Sequence, residues 1–286
     1  SEYDGRVHDD VSIIRVATGR LAASILMTIP AHSDEGQLLR ECFVAKPGCV
    51  LLSGDYSQIE LRILAHMSKD PTMVKIYQAG EDIHTHTACE IFGLRPDQLD
   101  KHKHRYPAKT VNFGIIYGVT EDGLYAELGR HGWSMEDCRK FIKDWFKLYP
   151  GAKEYLDYQH THARRYGYVR TLLGRKRLMP EVRSAHFWIR EKGLRNAGNT
   201  PIQGGAAEVM KEAMGKLVPL YKAWNSLFYI RPLIQLHDDL LWEVEEGRVG
   251  WAAKRIKNIM ENAIQLLVPV QVEMASGLKW GNMEVM

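Results

Sequence analysis

Tyr229-Ile-Arg-Pro-Leu-Ile-Gln-Leu-His237, then Asp238-Asp239, then Leu240-Leu-Trp-Glu-Val-Glu245 is the stretch that decides the fold. Two strand-like runs flank a pair of aspartates, the pattern of a hairpin with carboxylates at its tip. A second apolar run, Cys49-Val-Leu-Leu-Ser-Gly54, follows Pro47-Gly48 and reads as a buried strand ending at Asp55. A third strand, Val268 to Met274, is expected after a helix that begins near Gly250. Between these flanks the pattern is helical. One helix starts near Gln58. Another starts at Ser134-Met-Glu-Asp137, a capping-box-type signal, and carries Cys138, Phe141, Ile142, Trp145, Phe146 and Tyr149 at helical spacing until Pro150-Gly151 stops it. Ala206 to Trp224 reads as a long helix with one broad apolar face. Tyr168 to Leu173, Gly174-Arg175 and Lys176 to Met179 form a basic hairpin. Strands in the flanks and helices in the middle predict an α+β fold, an antiparallel sheet carrying a helical insertion.

The 286 residues suffice for one large domain or two modest ones, without a disulfide or metal staple. A 45% hydrophobic and 26% charged composition excludes disordered, collagenous and membrane classes. No run approaches the ~20 apolar residues of a spanning helix, and the opening SEYDGRVHDD is too polar for a signal peptide. Four cysteines without a CxxC pair argue against a disulfide framework or zinc knuckle and for a reducing compartment. The net charge of +3 hides an asymmetry: Ala163 to Arg195 holds ten Lys or Arg and only two acids. Such a dense basic stretch fits either an anionic polymer or a solvated helix face.

Asp55 and Asp238 each sit at a strand end. Bringing two carboxylates together is costly unless a cation relieves the repulsion. Mg²⁺ suits such oxygen ligands and leaves room for water and phosphate. The plainer reading of the Asp-Asp tip is a turn using Asp for local hydrogen bonds. The most informative helix is Lys101-His-Lys-His-Arg105-Tyr-Pro-Ala-Lys109-Thr-Val-Asn-Phe113-Gly-Ile-Ile-Tyr117-Gly118. Pro107 suits its first turn, and Lys109, Phe113 and Tyr117 share one face. Cations at a helix start attract a polyphosphate, and aromatic rings beyond them offer a surface for a base. On spacing alone, an amphipathic helix whose Phe113 and Tyr117 are core is the commoner reading.

Three motifs then carry a resemblance. Gly54-Asp55-Tyr56-Ser57-Gln58-Ile59-Glu60-Leu61-Arg62 resembles the first carboxylate motif of family A DNA polymerases, the bacterial DNA polymerase I type. Arg105-x-x-x-Lys109-x-x-Asn112-Phe113-Gly114-x-x-Tyr117-Gly118 resembles that family's fingers helix, and Gln235-Leu236-His237-Asp238-Asp239 its second carboxylate motif. Shorter matches at Thr18-Gly19-Arg20, Asp82-Ile83-His84-Thr85, Arg195 to Asn199, Pro201-Ile202-Gln203-Gly204 and Val272 to Trp280 extend it over almost the whole chain. The resemblance implies an antiparallel palm sheet with a helical fingers insertion, a right-hand polymerase lacking the thumb. Residues 1–62 would form the first part of the palm, 63–190 the mainly helical fingers, and 191–286 the second part of the palm.

The resemblance also implies roles. Asp55, Asp238 and Asp239 match catalytic carboxylates; Asp55, Asp238 and the Tyr56 carbonyl match ligands of two Mg²⁺ ions, for which Mn²⁺ can substitute. His84, Arg105 and Lys109 match phosphate-holding groups, and Gln58 a residue near the incoming nucleotide. Glu60 matches the steric gate against a 2′-hydroxyl, Phe113 the ring that packs on sugar and base, and Tyr117 the aromatic at the template-base position. Arg20, Arg195, Asn199, Gln203 and His237 match residues around the primer terminus and minor groove, where acceptors are nearly alike for all correct pairs. The basic stretch, Arg175 included, then binds template or duplex phosphates, with steep salt dependence. The implied partners are primer-template DNA and dNTPs, with a separate thumb- or exonuclease-bearing chain or a processivity partner, no membrane, and the cytoplasm or nucleoid of a bacterial or phage-type host cell.

Four departures qualify the match. The segment Arg20 to Pro30 is slightly shorter than usual and has Met27 near an expected Gln, which predicts a lost minor-groove contact. Asp239 stands where Glu is usual, and Pro107 where a small residue is usual. The sequence opens within the palm, so no 3′→5′ exonuclease is expected on it. Two other functions compete. A metal-dependent phosphohydrolase would use His84, His86 and His237-Asp238. A non-catalytic nucleic-acid-binding subunit derived from a polymerase would not need intact carboxylates or the Arg105/Lys109 pair.

Overall fold

The computed structural model describes residues 4–30 and 33–286. In chain order its elements are β1 (Val11–Ser12), β2 (Ala22–Ala23), α1 (Asp34–Glu41), β3 (Cys49–Tyr56), α2 (Ile59–Ser68), α3 (Pro71–Gln78), α4 (Ile83–Phe92) and α5 (Tyr106–Ile116). There follow α6 (Glu121–Leu128), α7 (Met135–Leu148), α8 (Pro150–Tyr166), β4 (Tyr168–Arg170), β5 (Lys176–Leu178), α9 (Phe187–Trp224), β6 (Ile230–Leu236), β7 (Asp239–Glu245), α10 (Val249–Glu261), β8 (Val272–Lys279) and β9 (Asn282–Val285). They form two compact units. Unit 1 holds the described residues up to Ile59, with Ala206–Gln265 and Val270–Met286; unit 2 holds Glu60–Gly205 with Leu266–Pro269.

Unit 1 is built on a five-stranded antiparallel sheet in the order β6-β7-β3-β8-β9. The expected α+β fold is therefore present, with the flanking strands paired across the chain's whole length. Strand alternation divides β3 between two faces. Leu51 joins a cluster with Leu26, Leu236, Leu241 and Trp280, while on the other face the Tyr56 hydroxyl donates to the Met260 carbonyl of α10 at 2.9 Å. Gly54 sits in a crowded place: a Cβ there would press on the sulfurs of Met260 and Met274 at 3.1 and 3.2 Å. Fully buried Glu243 is satisfied by Arg6 Nη2 and the Tyr229 hydroxyl, both at 2.8 Å, and the Lys46 N–H at 3.0 Å. It ties the start of the described chain to the sheet.

Unit 2 is mainly helical. Ser134 and Asp137 form the expected capping box of α7. Tyr149 ends that helix, but Pro150 also opens α8 as its first residue, so the proline starts one helix while stopping another. Fully buried Asp70 holds two helix starts: it caps α3 through the Met73 N–H at 3.0 Å and accepts the Gly151 N–H of α8 at 2.8 Å. A Cβ on Gly151 would lie 2.9 Å from Asp70 Cα, so this approach needs glycine. The basic hairpin is present as β4 and β5, with strands shorter than expected.

Two boundaries differ from the sequence reading. The expected helix Ala206 to Trp224 is the second half of α9, whose first half is obscured in sequence by Pro201 and Gly204-Gly205. The last strand expected over Val268 to Met274 runs instead from Val272 to Lys279, because its pairing with β3 begins at Val272↔Tyr56. Among the described residues no helix is long and apolar enough to cross a membrane. Asp70→Ala removes an N-cap and strands the Gly151 N–H, so it should cost about 2–3 kcal/mol in denaturant unfolding; Asp70→Asn, which keeps an acceptor, should cost less.

Candidate active site

The carboxylates of unit 1 gather at one end of the sheet. Asp55 lies directly opposite Asp239 on β7 and opposite Glu273 on β8. Directly opposed residues point to the same face, so three acids form a row across the sheet. Asp238 sits beside them in the two-residue turn between β6 and β7, where its carbonyl accepts the Tyr56 N–H at 3.0 Å. Asp239 is thus the first residue of a strand rather than part of the hairpin tip. Glu273 was not singled out in the sequence; its signal was alternation, an acid between Val272 and Met274, which are buried.

Crowding shows in the acidities. Burial, then the charges of Asp238 and Glu273, push the Asp55 carboxyl up to about 6. Asp55 is nevertheless open to solvent, so protein surrounds the group without sealing it. Burial, then Asp55, pushes Asp239 up to about 7, and one of its buried oxygens makes no hydrogen bond. Asp238 is raised by burial, against the pull of Arg20 and His237; Arg20 Nη2 stands 3.7 Å from its Oδ1.

The turn is held under strain. His237 has φ +50, as at the first central position of a type II′ turn, where glycine is usual. The Gln235 side-chain amide donates to the His237 carbonyl and braces it. Gln58, leading into α2, also has a positive φ, of +53. Non-glycine residues hold such conformations at a cost of roughly 1–3 kcal/mol and cluster at functional sites. Arg20, His237 and Asp238 line one groove with Gln235 and with Lys211 of α9. Sequence reasoning passed over Lys211, although i+4 steps from Gln203 through Ala207 point to it.

Unit 2 carries the residues for which phosphate and nucleotide contacts are expected. His84, buried on α4, bonds through Nδ1 to the Asn112 amide nitrogen at 2.9 Å. Trp145 Nε1 donates to Asn112 Oδ1 at 2.6 Å. Tryptophan only donates, so it fixes the amide with its nitrogen toward His84. Nδ1 therefore accepts, and the ring proton lies on Nε2. Burial lowers the His84 pKa to about 4, helped by Arg105 and Lys109 against Asp82; the ring is neutral at pH 7 and a donor at Nε2. Asn112, which orients it, was quoted in the sequence only as part of a motif.

Arg105 ends a π-helical turn, Lys101–Arg105, that leads into α5, and pairs with Asp82, the N-cap of α4, at 2.9 Å. Asp82 and His84 are thereby committed to separate partners, unlike ligands of one metal. Pro107 lies in the first turn of α5 as expected. The Lys109, Phe113, Tyr117 face is not core: Lys109 is exposed, Phe113 half-buried 5.4 Å from the His84 ring, and Tyr117 44% exposed. The Tyr117 hydroxyl donates to Glu60, itself buried, at 2.9 Å. Arg195, Asn199 and Gln203 follow at i+4 steps on α9. A Cβ on Gly118 would sit 2.8 Å from Arg195 Cγ, so Gly118, at φ +68, lets Arg195 lie against it. Arg175 is exposed between β4 and β5.

The profile of DNA polymerase family A matches residues 1–282. This chain belongs to DNA polymerase family A. It is 42% identical over 278 residues to the thermostable DNA polymerase I of Thermus filiformis, covering 96% of this chain and 32% of that protein. It is 41% identical over 281 residues to DNA polymerase I of Streptococcus pneumoniae serotype 4, covering 97% and 31%. The chain thus spans about a third of the length of these curated relatives. Its structure is similar to the POL domain of Pol1 from M. smegmatis in complex with DNA primer-template and dNTP, with a TM-score of 0.90 and 35% identity over 98% of this chain and 49% of that one.

The raised acidities have a definite sign. A carboxyl whose pKa rises from about 4 in the unfolded chain to 6 or 7 in the fold stabilises the fold fully below pH 4 and loses that contribution as pH rises to about 7. In metal-free buffer, stability from these groups should therefore fall between pH 4 and 7, and Asp55→Asn should be more stable than the parent at pH 8 in urea unfolding.

Proposed function

We propose that this chain catalyses template-directed addition of dNTPs to a primer 3′-hydroxyl, releasing pyrophosphate. The observation that carries the reading is the carboxylate group at the end of β3, with Asp55 open to solvent and its proton affinity raised by burial and then by Asp238 and Glu273, in a chain of family A. These residues fit a divalent metal: crowded hard oxygens attract a cation, and Asp239 keeps a buried oxygen without a hydrogen bond. Asp55, Asp238 and the Tyr56 carbonyl would hold the ions. When bound, two Mg²⁺ ions, or Mn²⁺ in their place, lower the pKa of the primer hydroxyl and neutralise charge on the triphosphate.

Each unit contributes its own chemistry in this reading. In unit 1, the Gln235-braced turn holds Asp238 in position, Gln58 lies near the incoming nucleotide, and Arg20 and His237 contact the primer terminus. In unit 2, neutral His84 donates its Nε2–H to a phosphate oxygen, while Lys109 and Arg105 supply charge, Arg105 by exchanging Asp82 for phosphate. Phe113 packs on the sugar and base. Glu60, held by Tyr117, fills the space of a 2′-hydroxyl, and the exposed ring of Tyr117 takes the template-base position. Arg195, Asn199 and Gln203 read minor-groove acceptors, and Arg175 holds DNA phosphate. We assign 1–62 and 191–286 to a palm and 63–190 to fingers, working in the cytoplasm or nucleoid.

Primer extension tests this. Asp55→Ala or Asp238→Ala should lower single-nucleotide incorporation by about 10³-fold or more while primer-template binding persists, and chelation should abolish it. Retained extension by either variant would contradict the assignment. Glu60→Ala should raise ribonucleotide incorporation, and Tyr117→Phe, which removes one hydrogen bond to Glu60, should raise it less.

A further inference from the structure

Tyr158, His162 and Tyr166 recur at i+4 steps along α8 and so form a row on one face. Adjacent ring centroids are 5.6 and 4.7 Å apart. Tyr168 of β4 flanks the row, 5.0 Å from His162 and 6.3 Å from Tyr166, and its carbonyl accepts from His162 Nδ1 at 3.0 Å, fixing that ring. This is not the core face, since α8 buries Ala152, Leu156, Gln159 and Ala163. Tyr158 and Tyr166 are 59% and 51% exposed.

Cations cover the row. Lys176 Nζ lies 3.9 Å from the Tyr168 ring centroid, Arg170 5.3 Å from the same ring, and Arg165 5.2 Å from the Tyr166 ring. All belong to the stretch with ten basic residues and two acids. The helix surface beside the row also carries two acids: Asp157, paired with Lys153, and exposed Glu154, one turn before Tyr158. Single exposed rings are ordinary on a protein surface. Three rings along α8 with a fourth beside them, and cations over the Tyr166 and Tyr168 end, match a surface on which bases stack while phosphates meet positive charge.

We propose that the Tyr158–His162–Tyr166–Tyr168 row binds single-stranded nucleic acid, with unpaired bases stacking on the exposed tyrosines and Arg165, Arg170 and Lys176 meeting the phosphates. A duplex hides its base faces, so the rings select the unpaired form. The proposal rests on the nucleic-acid reading of the basic stretch and adds which form of nucleic acid it takes and where.

The test is fluorescence anisotropy of a labelled oligodeoxythymidylate of about 16 nucleotides, titrated with the full chain in EDTA, without dNTP, over a salt series. Paired Tyr158→Leu and Tyr166→Leu changes keep apolar area but remove stacking; they should weaken binding roughly tenfold to hundredfold with an unchanged salt slope and melting temperature. Tyr166→Phe should bind like the parent. Arg165→Gln with Lys176→Gln should make the log–log salt slope shallower by about 1.4. Parent-like binding by the double leucine variant would overturn the proposal, as would an equal loss for a blunt duplex. Polyglutamate displacing the oligonucleotide equally from parent and leucine variant would point to an acidic protein surface instead. Because the readout needs neither metal nor turnover, retained extension by Asp55→Ala would sink the catalytic reading and leave this one standing.

Discussion

The antiparallel register of β3 against β7 and β8 is the constraint on which the rest depends. It sets Asp55 between Asp239 and Glu273, and the Tyr56 N–H to Asp238 carbonyl bond draws the turn against the same strand end. A slip of one residue would turn Asp55 into the core and Gly54 outward. Packing opposes that slip, because a side chain at position 54 would crowd Met260, Met274 and Trp242. The hydrophobic packing of one face thus enforces electrostatic crowding at the edge of the other. Burial and like charge raise the proton affinity of the group, and a divalent cation relieves both.

Unit 2 solves a related problem with hydrogen bonds. In a neutral histidine only one ring nitrogen donates, and the partner of the other decides which. Burial supplies neutrality, and the chain from Trp145 through Asn112 supplies the tautomer. The orienting residue is nearly thirty positions from His84 and the one behind it more than thirty further on, so three helices cooperate to set one proton.

Much of this was legible in the sequence, for identifiable reasons. The α+β class followed from strand runs at both ends of the chain, and the Ser134–Asp137 box marked its helix because capping chemistry is local. The carboxylate motifs were readable because Asp55 and Asp238 sit beside apolar runs. What stayed hidden depends on pairing or distance. Glu273 gains meaning only opposite Asp55, and Lys211 only in the groove with Arg20. The aromatic row needed the fold to bring Tyr168 back onto α8. Pro201 concealed the true start of α9, since a proline reads locally as a break even where packing holds the helix together.

The most direct measurement is electron paramagnetic resonance titration of Mn²⁺ into the full chain bound to primer-template and dNTP, beside the Asp55→Asn/Asp238→Asn double variant. The account predicts about two bound Mn²⁺ per parent chain and loss of that binding in the variant, with primer-template still bound. Equal Mn²⁺ binding by parent and variant would contradict it.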